Sequence, residues 1–451
     1  MKSARPKVMH PIAGRPMIGH VLDRLAEIGA GRVVAVLGPA MDDAASFVQD
    51  AAPVTVAIQD PPRGTGHAVM AAQAALAGFT GDVLVLYGDT PLIGADTIAA
   101  MVAARRAADD PAVVVLGFTP ADPASYGRLV RSPDGGLVKI VEARDATPDE
   151  RSITLCNAGI MAFDGARLPA LLAEIGTDNA KSEYYLTDAI AIARRKGWRC
   201  AVVEARDADE VMGVNARAEL AIAEAIMQRR LRAAAMANGA TLIDPDTVYF
   251  SHDTRLGRDV TVGPNVVFGP GVTIADGVEI LAFSHLEQAT VAAGARIGPF
   301  ARLRPGAEIG ADAHIGNFVE IKATFVEPGA KVNHLTYVGD ARVGAGANVG
   351  AGTITCNYDG YNKSFTDIGA GAFIGSNTAL VAPVKIGDRA IVGAGSVVTK
   401  DVPADALAVT RAEEKQVAGW AVKYRERKAA EKKAKTAAKA KAQKPARHKA
   451  G

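Results

Sequence analysis

Two short stretches hold most of the side chains able to do chemistry. The first, "KVNHLTYVGD" (331–340), sets His334 beside Asn333, Thr336 and Tyr337, and the polar run "CNYDGYNKSF" (356–365) follows soon after. A histidine exchanges a proton near neutrality because its reference pKa is about 6.5, so His334 reads either as a general base or as a structural histidine on an outer face. The second stretch, "YGDTPL" (87–92), puts Asp89 at the end of an apolar run. A carboxylate there is either a hard oxygen ligand for a divalent cation or an ordinary turn residue. Neither stretch decides a function alone.

The elements that must position them differ between the two halves. In the first half, "RVVAVLG" (32–38), "PVTVAIQ" (53–59), "DVLVLYGD" (82–89) and "PAVVVLGF" (111–118) alternate with Ala/Leu-rich segments. This pattern predicts strands buried on both faces, in a mostly parallel sheet of a doubly wound α/β domain. Such sheets bind ligands beyond the carboxyl ends of their strands, which directs attention to Asp89. Residues 216–238 are strong helix formers ended by Gly239, and predict a helix linking the two halves.

Beyond residue 238 the rhythm becomes a period of six. Inward-type residues fall at Leu256, Val262, Phe268, Ile274, Ile280 and Leu286, then at Val291, Ile297, Leu303, Ile309, Ile315 and Ile321. They resume at Ile368, Ile374, Leu380, Ile386, Val392 and Val398. This is the pattern of a hexapeptide β-helix, whose triangular coils stack about 4.8 Å apart around an aliphatic column. Extra residues cannot be absorbed inside such a column, so the break at 349–369 predicts a loop on the outer face.

Bulk properties narrow the class. A chain of 451 residues calls for more than one core, and no apolar run is long enough to span a bilayer. The start lacks the apolar segment of a signal peptide, so a cytoplasmic protein is expected. Cys156, Cys200 and Cys356 form no metal-ligand spacing and read as small apolar residues of a reducing compartment. The net charge of +2 hides a split: residues 421–451 carry 12 Lys/Arg against 2 Asp/Glu, leaving 39 against 47 elsewhere. That Ala/Lys tail is expected to be disordered or transiently helical, serving as a solubilising extension rather than a nucleic-acid partner. The expected organisation is 1–215, 216–238, 239–422 and 423–451.

With "RLRPGAEIG", "GNFVEIK", "NHLTYVGD" and "GAGTITCNYDG" the second half resembles the bacterial bifunctional N-acetylglucosamine-1-phosphate uridyltransferase/glucosamine-1-phosphate acetyltransferases. The match continues through "PKVMHPIAGRPM", "RGTGHAV", "YGDTPL", "SYGRLVR", "VEARDAT", "CNAGI", "SEYYLTD" and "VMGVNARAEL", covering nearly all of the chain except the tail. The resemblance implies a left-handed β-helix, a homotrimer, and acetyl-CoA and UTP as co-substrates. It makes His334 the base that deprotonates the sugar amine. Arg304, Lys322, Tyr337, Asn348 and Lys363 would contact the sugar phosphate; Ala351, Asn357, Tyr358, Ser376, Ala394 and Arg411 would contact acetyl-CoA, with Ser376 near the oxyanion. In the first half it makes Asp89 and Asn215 ligands of Mg²⁺ and Lys7 a phosphate contact. Gln59, Gly64, Thr65, Tyr87 and Gly88 would line the nucleotide site, and Gly127, Glu142 and Asn157 the sugar site.

One departure bears on activity. The family's first strand and its Gly-rich loop, resembling "LAAGxGTRM", would end where Met1-Lys2-Ser3 stand, and that strand is expected at the centre of the sheet. Three readings follow: a two-headed enzyme that makes UDP-N-acetylglucosamine; an acetyltransferase carrying a disabled uridyltransferase; or a hexose-1-phosphate nucleotidyltransferase whose β-helix is a scaffold.

Overall fold

The computed structural model describes residues 1–123, 126–133, 135–179 and 181–442. In the first half the β-branched runs form strands at Val33–Leu37, Val54–Ile58, Asp82–Val85 and Val113–Phe118. Their pairing corrects the expectation of a mostly parallel sheet. Val33–Leu37 runs parallel to Val54–Ile58, and Val113–Phe118 parallel to Cys200–Glu204. The long strand Cys156–Asp164, however, runs antiparallel to both Asp82–Val85 and Val113–Phe118, and Arg128–Arg131 pairs antiparallel with Leu137–Val141. An apolar run reports burial, not direction, and the Asn and Gly in "CNAGI" mask a strand that the pattern overlooks.

Val33–Leu37 and Val54–Ile58 form a separate two-stranded sheet. Between it and Asp82–Val85 lies a cavity of about 630 Å³ lined by Val34, Val36, Leu84, Leu86 and Val69. Val113–Phe118 is buried at every residue, whereas Val33–Val36 and Leu84–Leu86 stay partly exposed.

The linking helix spans Arg217–Ala237, and Gly239 leaves it at φ +99°, a backbone angle that suits glycine at a helix end. The helix ties the halves together. Gln228 donates to the Phe250 carbonyl at 2.7 Å and accepts from the Phe250 N–H at 2.8 Å, closing the open end of the first coil. From the α/β half, Ala13 donates to Glu224 at 2.7 Å and accepts from the His252 N–H at 2.8 Å.

The second half is a three-sided parallel β-helix. Val262, Ile280, Ile297, Ile315, Val332, Val349, Ile374 and Val392 stack in register down one face. Every inward position expected from the period of six is buried except Leu256, which is half-buried. The insertion leaves the column after Cys356, exposes Tyr358 and Tyr361, and rejoins at Thr366–Ile368. Cys156 and Cys200 are buried as expected, but Cys356, at the foot of this loop, is only half-buried.

Residues 423–442 of the tail belong to a helix spanning Trp420–Ala442. Ala and Lys are good helix formers, and the exposed side chains of 423–438 ask for no packing partner. Residues 443–451 lie outside the described residues.

Candidate active sites

In the α/β half, chain pairing brings together residues far apart in sequence. The Val214 N–H donates to the Asp89 carbonyl at 2.9 Å, which sets Asn215 beside Asp89. Glu219 at the helix start accepts from the N–H groups of Asn215 and Ala216, the latter at 2.8 Å, so the Asn215 backbone is fixed. The Lys7 ammonium lies 2.5 Å from Asp89 Oδ2 and 2.9 Å from Asn215 Oδ1. A cation therefore already sits between two hard oxygens, which fits the pair as donors to a divalent ion. Among the described residues no group of three or more His, Cys, Asp or Glu converges, so phosphate and water oxygens would complete such a site.

A second group surrounds the loop after Val54–Ile58. Gln59 donates to the Gly64 carbonyl at 2.9 Å, and Thr65 Oγ1 accepts from the Leu186 N–H at 3.0 Å. Gly64 has φ +102°, and a Cβ there would lie 2.6 Å from the Tyr184 carbonyl, so only glycine fits. Tyr87 packs against Gly159, and burial, with help from the Asp89 and Glu142 carboxylates, pushes its hydroxyl up to about 12. A third group gathers Gly127, Glu142 and Asn157. The Asn157 N–H donates to the Gly127 carbonyl at 2.8 Å, and a Cβ on Gly127 would lie 3.6 Å from Glu142 Oε1. Burial, with the neighbouring Asp145 carboxylate, raises the Glu142 pKa. Gly88 lies against Val8 beneath these groups.

In the β-helix, His334 is exposed at a corner between two faces. One column runs down this corner. The Gly352 N–H donates to the His334 carbonyl at 3.3 Å, Asn377 to Ala351 at 2.7 Å, and Gly395 to Ser376 at 2.8 Å, so Ala351, Ser376 and Ala394 succeed His334 coil by coil. Arg411 continues the line, its Cδ 3.7 Å from where a Cβ on Gly395 would be. The corner changes character at His334. On the preceding coils it carries exposed Phe283, Phe300 and Phe318, stacked at 4.9 and 5.0 Å, and then Leu335. On the following coils it carries Gly352, Asn377 and Gly395, leaving a shallow track for a slender chain.

The adjoining face carries the cations. Lys363, on the inserted loop, sits beside Lys322, and this neighbouring ammonium, with Arg304, holds the Lys322 pKa below its usual value. Arg304 pairs with Glu320 at 2.8 Å. Asn357 donates to Asp340 at 2.5 Å and to the Tyr337 hydroxyl at 3.4 Å. Asn357 thus belongs with the cation cluster rather than with the corner column, and Tyr358 projects beyond it. Asn348 lies on the other face, in register with Lys331 and Phe373.

Three participants escaped the sequence reading: Glu320, Asp340 and Asn317, whose Oδ1 lies 2.6 Å from His334 Nδ1. "GNF" and "NHL" become neighbours only once the coil register is known, and that register is the signal that would have found Asn317.

Comparison with known proteins agrees with both halves. A family model for the MobA-like NTP transferase domain matches residues 1–133. The bacterial transferase hexapeptide (six repeats) model matches 253–288, 289–323 and 365–400. A bifunctional protein GlmU of Paramagnetospirillum magneticum is 62% identical over 432 residues, covering 96% of this chain and 95% of the relative. Those of Rhodospirillum rubrum and Azorhizobium caulinodans are 63% and 56% identical, each covering 94% of both chains.

Proposed function

The chain belongs to the bifunctional GlmU family, and on that premise we propose that its β-helix acetylates glucosamine 1-phosphate and its α/β half couples the product to UTP, giving UDP-N-acetylglucosamine and pyrophosphate. The observation that carries the first activity is the corner column: a solvent-facing imidazole at the head of a track of small residues, beside a cluster of cations.

The Lys322, Lys363 and Arg304 charges attract the sugar phosphate, whose dianion relieves their mutual repulsion. Acetyl-CoA lies along Ala351, Ser376 and Ala394, with Arg411 toward its phosphates. His334 accepts a proton from the amine as the nitrogen attacks the thioester carbonyl. The oxyanion then collapses and expels the thiolate, which takes up that proton. Such a base is worth about 10² to 10⁴ in rate. Ser376, exposed in the column next to the scissile bond, donates to the oxyanion.

Asn348 and the cations stand on different faces of a convex edge, and a convex edge encloses nothing. A second copy packed against the exposed Phe283, Phe300 and Phe318 ladder would wall the site, which supports a homotrimer.

In the α/β half Asp89 and Asn215 would hold Mg²⁺, which when bound neutralises phosphate charge during uridylyl transfer. Lys7 turns to the nucleotide phosphates, Gln59 and Thr65 hold the base, and Glu142, Asn157 and Gly127 orient the sugar. No helix of the described residues is long and apolar enough to cross a membrane. The cytoplasm, where acetyl-CoA and UTP are at hand, is the proposed site of action.

Single-turnover assays of the two half-reactions test this reading, which expects product from both. His334→Ala abolishes acetyl-CoA consumption, and normal consumption by that variant would remove His334 from the mechanism.

A further inference from the structure

Acetyl transfer through His334 requires one ring nitrogen to be free for the amine proton, and the fold occupies the other. His334 Nδ1 lies 2.6 Å from Asn317 Oδ1. The two residues are register partners on successive coils, and the Leu335 N–H donates to the Asn317 carbonyl at 3.0 Å. Strand pairing therefore holds the carboxamide over the ring edge. With the carboxamide oxygen turned to the ring, Nδ1–H is the donor and the lone pair is left on Nε2.

We propose that Asn317 is a positioning residue for acetyl transfer: its side-chain oxygen holds His334 in the Nδ1–H tautomer and turns Nε2 toward the sugar amine. This rests on the reading of His334 as the base. As Nε2 takes the amine proton the ring becomes an imidazolium, and the Nδ1–H to Asn317 bond is kept and strengthened by the charge. When the tetrahedral intermediate collapses, Nε2–H gives its proton to the departing thiolate, and the ring returns to the tautomer in which it began. No co-reactant beyond amine and thioester is needed.

The neutrality of Asn317 is part of the device. A carboxylate at the same place would accept the same hydrogen bond but would favour the charged ring, which cannot act as a base. Arg296 and His314 share with His334 and Asn317 a cleft of about 460 Å³, and Lys331 begins the same strand. The neutral amide adds no negative charge beside the ring.

The test uses the full-length protein with ¹⁵N-labelled histidine, His334→Ala identifying the ring signals. The wild-type spectrum above the titration of the ring should show Nδ1 protonated. Asn317→Leu, which lacks the acceptor, should shift His334 toward the Nε2–H form and lower kcat about tenfold to a hundredfold, with KM for acetyl-CoA within about twofold. Asn317→Asp should restore the Nδ1–H form while moving the acid limb of the kcat profile to higher pH. A wild-type ring found as Nε2–H overturns the proposal without any variant, and so does Asn317→Leu with normal kcat and an unchanged ring spectrum. Acetyl transfer surviving in His334→Ala is a separate outcome, which removes the base reading itself.

Discussion

Lys7 and Asp89 form an ion pair, Nζ to Oδ2 2.5 Å, on ground that also belongs to Asn215. The ammonium and a divalent cation cannot share that place, because both need the same oxygens and carry like charge. On the proposed reading the pair is a holding arrangement, to be released when phosphates draw the lysine away.

Replacing Lys7 by Met should let free Mn²⁺ bind more tightly in the absence of nucleotide. A part-exposed ion pair is worth at most about 1 kcal/mol, so the gain is about fivefold. Titration calorimetry on wild type and variant measures it, and equal affinities would show that lysine and metal do not compete. UTP binding should weaken in the same variant.

At the junction of the halves, His20 and His252 face each other edge-on with ring centroids 6.1 Å apart, and His20 Nε2 donates to the Ile12 carbonyl at 2.9 Å. Arg15 and Asp23 face both rings, and Asp253 faces His252. Burial lowers the pKa of each below the ordinary 6.5. As pH falls through 6.5 the unfolded chain takes up protons that the folded one refuses, so stability is complete above that value and declines below it. Urea midpoints at about pH 7.5 and 5.5 should differ less in His20→Gln than in wild type.

Gln228 satisfies both backbone groups of Phe250 at the buried mouth of the first coil. Gln228→Leu strands a buried N–H and a buried carbonyl, which costs about 3 kcal/mol. Thermal unfolding should begin several degrees lower, and a midpoint equal to wild type would mean that water replaces the amide there.

The small-residue track makes a steric prediction. Ala351→Leu places branched bulk one coil beyond His334, where the corner otherwise narrows to Gly352. KM for acetyl-CoA should rise at least about tenfold while affinity for glucosamine 1-phosphate, held on the adjoining face, stays within about twofold. Initial-rate measurements with each substrate varied distinguish this from a general loss of fold.

Much of the architecture was legible because its signals are local or periodic. The period of six located nearly every inward residue of the β-helix, since one side of a coil always spends the same number of residues. The helix linking the halves could be read from propensity and Gly239. The linear code was silent on strand direction in the α/β sheet, because the apolar runs at Asp82–Val85 and Val113–Phe118 look the same whether Cys156–Asp164 passes between them up or down.

The sequence by itself determined which residue types were available: an imidazole, a set of cations, small corner residues, and a carboxylate after a strand. Only the tertiary structure decided which of them meet. Asn317 reaches His334, and Lys7 reaches Asp89 and Asn215, through coil register and chain crossing. Those contacts join positions separated along the chain, and the free energy that selects them comes from burying the aliphatic column and the linking helix, not from the reacting groups themselves.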